Sequence, residues 1–196
     1  MEALPSRRLI AATALVAWAS LVALGLYAYF RFEVKPGERG DEQPQWPAAS
    51  TLPRSTTTPT LIMFVHPSCP CSRASVAELA SIATTTKVHP RILVVFIADA
   101  PGGHVWSSVG EIAGSERILD PNEIEATRFG ARTSGYVVVY DAQGRLAYTG
   151  GITGSRGHVG DNMGKRSVID VLDGMTPTSA HYGVFGCVFS TRDPQS

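Results

Sequence analysis

The sequence predicts an α/β domain with a mixed sheet flanked by helices, preceded by an N-terminal transmembrane helix. Three observations predict it. Residues 9–30 are an uncharged apolar run of 22 residues, and a bilayer core takes about 20 helical residues. Two short apolar runs, Leu61-Ile62-Met63-Phe64-Val65 and Ile92-Leu93-Val94-Val95-Phe96-Ile97, flank a segment of helical period, the pattern of buried central strands joined by a helix. A valine- and aromatic-rich run then turns at Asp141-Ala142-Gln143-Gly144 and returns, as a hairpin does.

Taken in order, Arg7 and Arg8 precede the first run, and Arg31, Glu33 and Lys35 follow it. The arginine pair lies closest to the run and Glu33 dilutes the other side, which places the N-terminus in the cytoplasm. The rest of the chain is then expected on the periplasmic side of the inner membrane, as a single-pass protein. A cleaved signal peptide is the competing reading, because Ala17-Trp18-Ala19 is a small-x-small site. The apolar run continues past that site to Phe30, so an uncleaved signal anchor is expected. Pro36, Pro44, Pro47, Pro53 and Pro59, with Ser55-Thr56-Thr57-Thr58, read as an extended polar linker that does not pack. The expected division is an anchor over 1–32, a linker over 33–59 and a folded domain over 60–196.

Within that domain, 60–65 reads as a buried strand, 72–84 as a helix and 91–98 as a second central strand. Residues 104–112 read as a short helix, 118–121 as a brief strand, and 123–129 as a helix closed by Gly130. Residues 136–140 and 145–149 are the hairpin strands. A glycine-rich loop over 150–160 leads to a last helix over 162–172, with Asp161 as its N-cap. The tail over 173–196 shows no clear period. The order β-α-β-α-(β)-α-β-β-α implies a mixed sheet covered on both faces. With 17 basic and 17 acidic residues and no basic stripe, nothing points to nucleic acid as a partner.

The chemistry concentrates at Cys69-Pro70-Cys71, where the first strand turns into its helix. A thiol there meets the positive end of the helix dipole and free backbone N–H groups, which favour thiolate. Thiolate attacks disulfides and binds soft metals. This order of elements, with cysteines between the first strand and its helix, resembles the thioredoxin-like superfamily over about residues 60–172. Phe129-Gly130-Ala131-Arg132 before a valine-rich strand and the Asp141-Ala142-Gln143-Gly144-Arg145 turn carry the same resemblance. Among its members the chain is most similar to membrane-anchored extracytoplasmic redoxins, TlpA-like and Sco-like, and to the group known as RedB. Two departures stand out. Pro70-Cys71 matches the second half of the Cys-x-x-Cys motif, which puts Ser68 where the resemblance implies the nucleophile. Gly135, in Thr133-Ser134-Gly135-Tyr136, falls where it implies a proline facing the cysteines.

The spacing itself limits the chemistry. On a helix, residues two apart point about 200° apart, so Cys69 and Cys71 can bond only if Cys69 lies outside the regular helix, and such a bond is strained. A third partner is therefore invited. Cys187 is the candidate, since an extended tail from Asp173 reaches over about 40 Å; an unrelated cysteine is the alternative. In the 150–160 loop, His158 is a candidate acid, base or metal ligand, and Arg156 a candidate for stabilising thiolate or binding an anionic group. Pro70 stiffens the turn and, with Gly135 and Arg156, is expected to face substrate.

Two functions follow. One is a membrane-tethered thiol–disulfide oxidoreductase acting on a protein disulfide or thiol, needing no cofactor, with Cys69, Cys71, Cys187 and His158 as its catalytic set. The other is a Sco-like copper-binding chaperone with Cys69, Cys71 and His158 as ligands. A peroxidase-like redoxin would need a threonine and arginine arrangement that the chain does not display.

Overall fold

A computed structural model describes residues 4–189, and the chain divides into two units, Met1–Lys35 and Pro36–Ser196. The first unit is helix α1 (Leu4–Val34), which runs a few residues beyond the expected anchor. Within Arg7–Val34 an 18-residue window reaches a mean hydropathy of 2.2, and the stretch is long and apolar enough to cross a membrane. Leu15, Trp18, Leu21 and Leu24 are all exposed. A helix that is apolar on every side is suited to lipid.

The second unit contains β1 (Thr60–Val65), α2 (Ser72–Thr85), β2 (Arg91–Phe96), α3 (Gly103–Gly110), β3 (Ser115–Leu119), α4 (Ile124–Arg128), β4 (Tyr136–Tyr140), β5 (Leu146–Gly150), α5 (Met163–Leu172) and β6 (His181–Tyr182). The strands form one sheet in the order β3-β2-β1-β4-β5-β6. β1 pairs parallel with β2 and antiparallel with β4, so the sheet is mixed as expected. β3 starts three residues earlier than expected. It is an edge strand whose Glu116 and Arg117 are exposed, so only its last residues are apolar enough to show in the sequence.

Alternation along the central strands builds two cores. Leu61, Met63 and Val65, with Ile92, Val94 and Phe96, point to one face and pack against α2, α3 and α5 through Leu79, Ile82, Val105, Val109 and Val168. Ile62 and Phe64, with Leu93, Val95, Val138 and Tyr140, point to the other. Among the described residues, the only helix packed on this second face is α4, of five residues. Such a helix is too short to cover a sheet this wide.

Residues 36–59 supply the missing cover, and the expectation of an unpacked linker is corrected here. The segment is extended, but it lies along the second face as a strap. Leu52 is buried there, and the Trp46 ring sits edge-on to Phe129 and Tyr140 at centroid distances of 5.1 and 5.3 Å. Backbone bonds from Trp46 N–H to Gly144 O (2.8 Å) and from Leu146 N–H to Pro44 O (2.9 Å) fix it to the hairpin. Glu125 staples it to α4: its carboxylate accepts from Ser50 Oγ at 2.7 Å and from Thr51 N–H at 3.0 Å, and pairs with Arg128. Burial raises the Glu125 pKa, but these donors outweigh it and hold the carboxyl below its ordinary value.

The tail closes the same face. After β6 it buries Val184 and Phe189 in the second core, and Val188 bridges to Thr133 in antiparallel sense. One local expectation also changes. The N-cap of α5 is Asn162, whose side chain accepts from Lys165 N–H at 2.9 Å; Asp161 instead pairs with Arg166 on the surface.

Candidate functional site

The turn between β1 and α2 sets the geometry. Cys71 is the N-cap residue of α2, and its carbonyl accepts from Ala74 and Ser75 N–H at 3.1 and 3.2 Å. Cys69 therefore lies outside the regular helix, in a turn closed by Cys69 N–H to His66 O (3.1 Å) and Ser72 N–H to Cys69 O (3.0 Å). This turn draws the Cys69 side chain inward, to 3% exposure, and leaves Cys71 half-buried. Ser68, where the resemblance implies a nucleophile, is exposed, with its N–H given to His66 Nδ1 at 3.2 Å.

The tail brings the third cysteine to this point. Cys187 N–H donates to Cys69 Sγ at 3.3 Å. Cys187 itself is exposed, and all three cysteines are free thiols. The position of Cys187 follows from pairing of the tail with the segment before β4. Ser134 N–H donates to Cys187 O and Phe189 N–H to Arg132 O, both at 2.8 Å. Gly186 passes so close to Ser134 O that any side chain there would collide with it.

The electrostatics separate the three sulfurs. Burial raises the Cys69 pKa, but the bonds from the Cys187 thiol and N–H, the Cys71 N–H and the Ser72 hydroxyl outweigh it, leaving Cys69 below an ordinary thiol. Cys71 moves the other way, first from burial and then from the negative charge on Cys69, with Arg156 opposing. Burial and the bond to Cys69 push Cys187 up to about 12. Of the three sulfurs, Cys69 is thus the one whose environment favours negative charge, between two neighbours shifted the other way.

Of the sequence-predicted residues, Cys69, Cys71, Cys187 and Arg156 come together. Arg156 interacts with the Cys71 thiol and donates from Nη1 to Gly186 O at 2.5 Å, tying the 150–160 loop to the tail. Pro70 is exposed at the rim of a groove of about 720 Å³ between α2 and α3. His158 is exposed and held in its own loop, with Nδ1 at 2.8 Å from Ser155 Oγ and 3.0 Å from Arg156 O. It is Arg156, two residues earlier, that reaches the sulfurs. Gly135, expected to face substrate, is packed against α2. It is buried at φ +88°, its N–H bonds to Phe64 O at 2.8 Å, and an added Cβ would meet Ser75 Oγ at 2.7 Å. Among the described residues, no three His, Cys, Asp or Glu side chains are grouped as a metal site.

Sequence reasoning passed over two serines. Ser134 Oγ accepts from His66 N–H at 2.8 Å and lies 2.8 Å from Ser72 Oγ, while Ser72 Oγ donates to His66 O at 2.9 Å. Both are buried. Together they fasten the segment before β4 to the cysteine turn, and with it the tail strand paired to Ser134. The only available signal was the position of Ser134 beside Gly135, a residue already singled out.

No family model matches the sequence, and no curated protein is significantly similar to it. Among solved structures, a hypothetical protein from Sinorhizobium meliloti 1021 is similar at 17% identity and TM-score 0.60, covering 79% of this chain and 97% of that one. An uncharacterized conserved protein from Geobacillus kaustophilus is similar at 17% identity and TM-score 0.55, covering 79% and 91%. The exposed lipoprotein thioredoxin Etrx1 of Streptococcus pneumoniae strain TIGR4 matches at 17% identity and TM-score 0.44, covering 61% and 87%. With its β3-β2-β1-β4-β5 sheet order and a cysteine pair at the junction of β1 and α2, the chain has a thioredoxin-like fold.

Proposed function

We propose that this protein is a membrane-tethered, extracytoplasmic thiol–disulfide oxidoreductase whose redox couple is Cys69 and Cys187, with Cys71 and Arg156 beside it. The observation that carries this reading is the contact between the tail and the motif: Cys187 N–H donates to Cys69 Sγ at 3.3 Å. The Cys-x-Cys spacing strains a bond within the motif; the tail offers Cys69 a partner free of that constraint. The Cys187 and Cys71 N–H groups stabilise Cys69 as thiolate, the form that exchanges with disulfides.

The reaction is a two-electron exchange. A thiolate attacks a disulfide sulfur, a mixed disulfide forms, and the neighbouring cysteine of the couple resolves it. Arg156 favours charge near Cys71 and holds Gly186, and so steadies the tail during exchange. Helix α1 would keep the domain at the membrane surface, and two nearby thiols fit an oxidising compartment.

The test uses the full chain in detergent. Mild oxidation should form a Cys69–Cys187 disulfide, seen by peptide mapping, and that form should oxidise dithiothreitol with two electrons per chain. Cys69→Ser and Cys187→Ser should each abolish the reaction. Failure to form this disulfide, or variants that react as the wild type does, would refute the proposal.

A further inference from the structure

The couple has an inside and an outside, and the assignment runs opposite to what the motif suggests. Cys69, the motif cysteine, is 3% exposed. Cys187, the tail cysteine, is exposed. The tail is also anchored on both sides of Cys187. Before it, Val184 is fully buried, Phe185 is 8% exposed, and Val184 O accepts from Gly37 N–H at 2.8 Å. After it, Phe189 is 3% exposed and its N–H bonds to Arg132 O. The tail therefore covers Cys69 as part of the second core.

Displacement at sulfur needs the incoming thiolate in line with the bond that breaks, opposite the leaving sulfur. Cys69 is buried, so attack on its Sγ is obstructed by the surrounding protein. Cys187 is exposed, so its Sγ is open to an incoming thiolate. We infer that Cys187, rather than either cysteine of Cys69-Pro70-Cys71, is the sulfur that substrate attacks, that Cys69 is the thiolate released, and that the substrates are reduced dithiols of other proteins. This rests on the Cys69–Cys187 couple proposed above.

The step balances as written. A substrate thiolate attacks Cys187 Sγ, a substrate–Cys187 disulfide forms, and the Cys69–Cys187 bond breaks with its electron pair going to Cys69. The second substrate thiol then attacks its own sulfur in the mixed disulfide and expels Cys187, which takes a proton. The substrate dithiol has lost two electrons and become a disulfide. The protein disulfide has gained them and become one thiolate and one thiol, and one proton is released to solvent. The leaving side is prepared for this: Cys69 receives the Cys187 N–H at 3.3 Å, and lies below an ordinary thiol in pKa, so it departs readily. The same bonds stabilise the reduced protein over the oxidised one, which makes the couple an oxidant.

The experiment is a glutathione pulse on the oxidised full chain in detergent, using Cys71→Ser so that an adduct cannot migrate to a third thiol. Acid quenching, alkylation of free thiols and peptide mapping then locate the glutathione. The expected result is glutathione on Cys187 and alkyl label on Cys69, at least about tenfold over the reverse. Glutathione on Cys69, an even split, or no adduct beside an intact disulfide would each overturn the inference. If the variant does not fold, wild type gives the same reading, with an adduct on Cys71 counted against the inference. Titration against glutathione buffers should show a couple more oxidising than glutathione; a more reducing one overturns the assignment of dithiols as substrates. Failure of the Cys69–Cys187 disulfide to form at all is a different result, and removes the proposed function instead.

Discussion

The two faces of the central sheet are covered by different means. On one, α2, α3 and α5 lay regular apolar stripes over Leu61, Met63, Val94 and Phe96. On the other, the five-residue α4 leaves most of Ile62, Phe64, Val95 and Val138 to two irregular segments, the strap and the tail. Helices make their own backbone bonds and can be assembled from local signals. Irregular cover must bond to what it lies on, residue by residue, through pairs such as Trp46–Gly144 and Phe189–Arg132. That dependence has a functional consequence here. The irregular face is the one that delivers Cys187, because only a segment tied to the sheet atom by atom sets a tail cysteine at 3.3 Å from a motif sulfur.

This contrast can be broken or sharpened by experiment, and the largest effect is expected at the sulfurs. Cys187→Ser should cost at least about 100-fold in oxidation of dithiothreitol while leaving the circular dichroism spectrum in place, whereas Cys71→Ser should cost about tenfold or less. Equal losses would return the redox couple to the motif. Next in size are core truncations on the two faces. Leu79→Ala on the helical face should cost about 3 kcal/mol of unfolding free energy, and Trp46→Ala on the strap about 2–3 kcal/mol. A cost near zero for Trp46→Ala, measured by denaturant unfolding, would make the strap a loose linker after all.

The strap should also respond to acid before the helices do. Glu125 is held below its ordinary pKa by Ser50, Thr51 and Arg128 against the opposing effect of burial. A carboxyl lowered in the folded state contributes stability that is present above its unfolded value, near 4.5, and lost as pH falls through its folded value. Amide exchange at Thr51, whose N–H bonds to Glu125, should therefore accelerate below about pH 4.5 in wild type. In Glu125→Gln that exchange should already be fast at neutral pH. The smallest effect belongs to the cap of α5. Asn162→Ala should cost about 1 kcal/mol and Asp161→Ala less than about 0.5 kcal/mol, by thermal unfolding; the reverse order would restore Asp161 as the cap.

How much of this was legible follows the same division. Runs such as Leu61 to Val65 and Tyr136 to Tyr140 appear as strands at the expected positions because burial on both faces leaves them continuously apolar. The hairpin was legible because Gly144 adopts φ +81° behind Asp141, whose side chain accepts from Gln143 and Arg145 N–H. The reach of the tail and the approach of the 150–160 loop to the cysteines followed from topology and length. The packing of Trp46 and Leu52 was not legible, because proline-rich extended chain looks alike whether it lies in water or on a sheet.

By itself, then, the sequence determined an apolar N-terminal helix, a mixed sheet with thioredoxin-like order, and thiols at the start of α2. Each of these is written in local pattern: continuous apolarity, period and turn chemistry. Tertiary structure alone decided which sulfur is buried, which partner it has and which loop residue attends it. Cys69 turns inward because its carbonyl closes a turn with Ser72, Cys187 is placed by pairing with Arg132 and Ser134, and Arg156 rather than His158 meets Cys71. These are contacts between residues far apart in sequence. Their strength depends on distances of a few ångströms, which no spacing along the chain encodes.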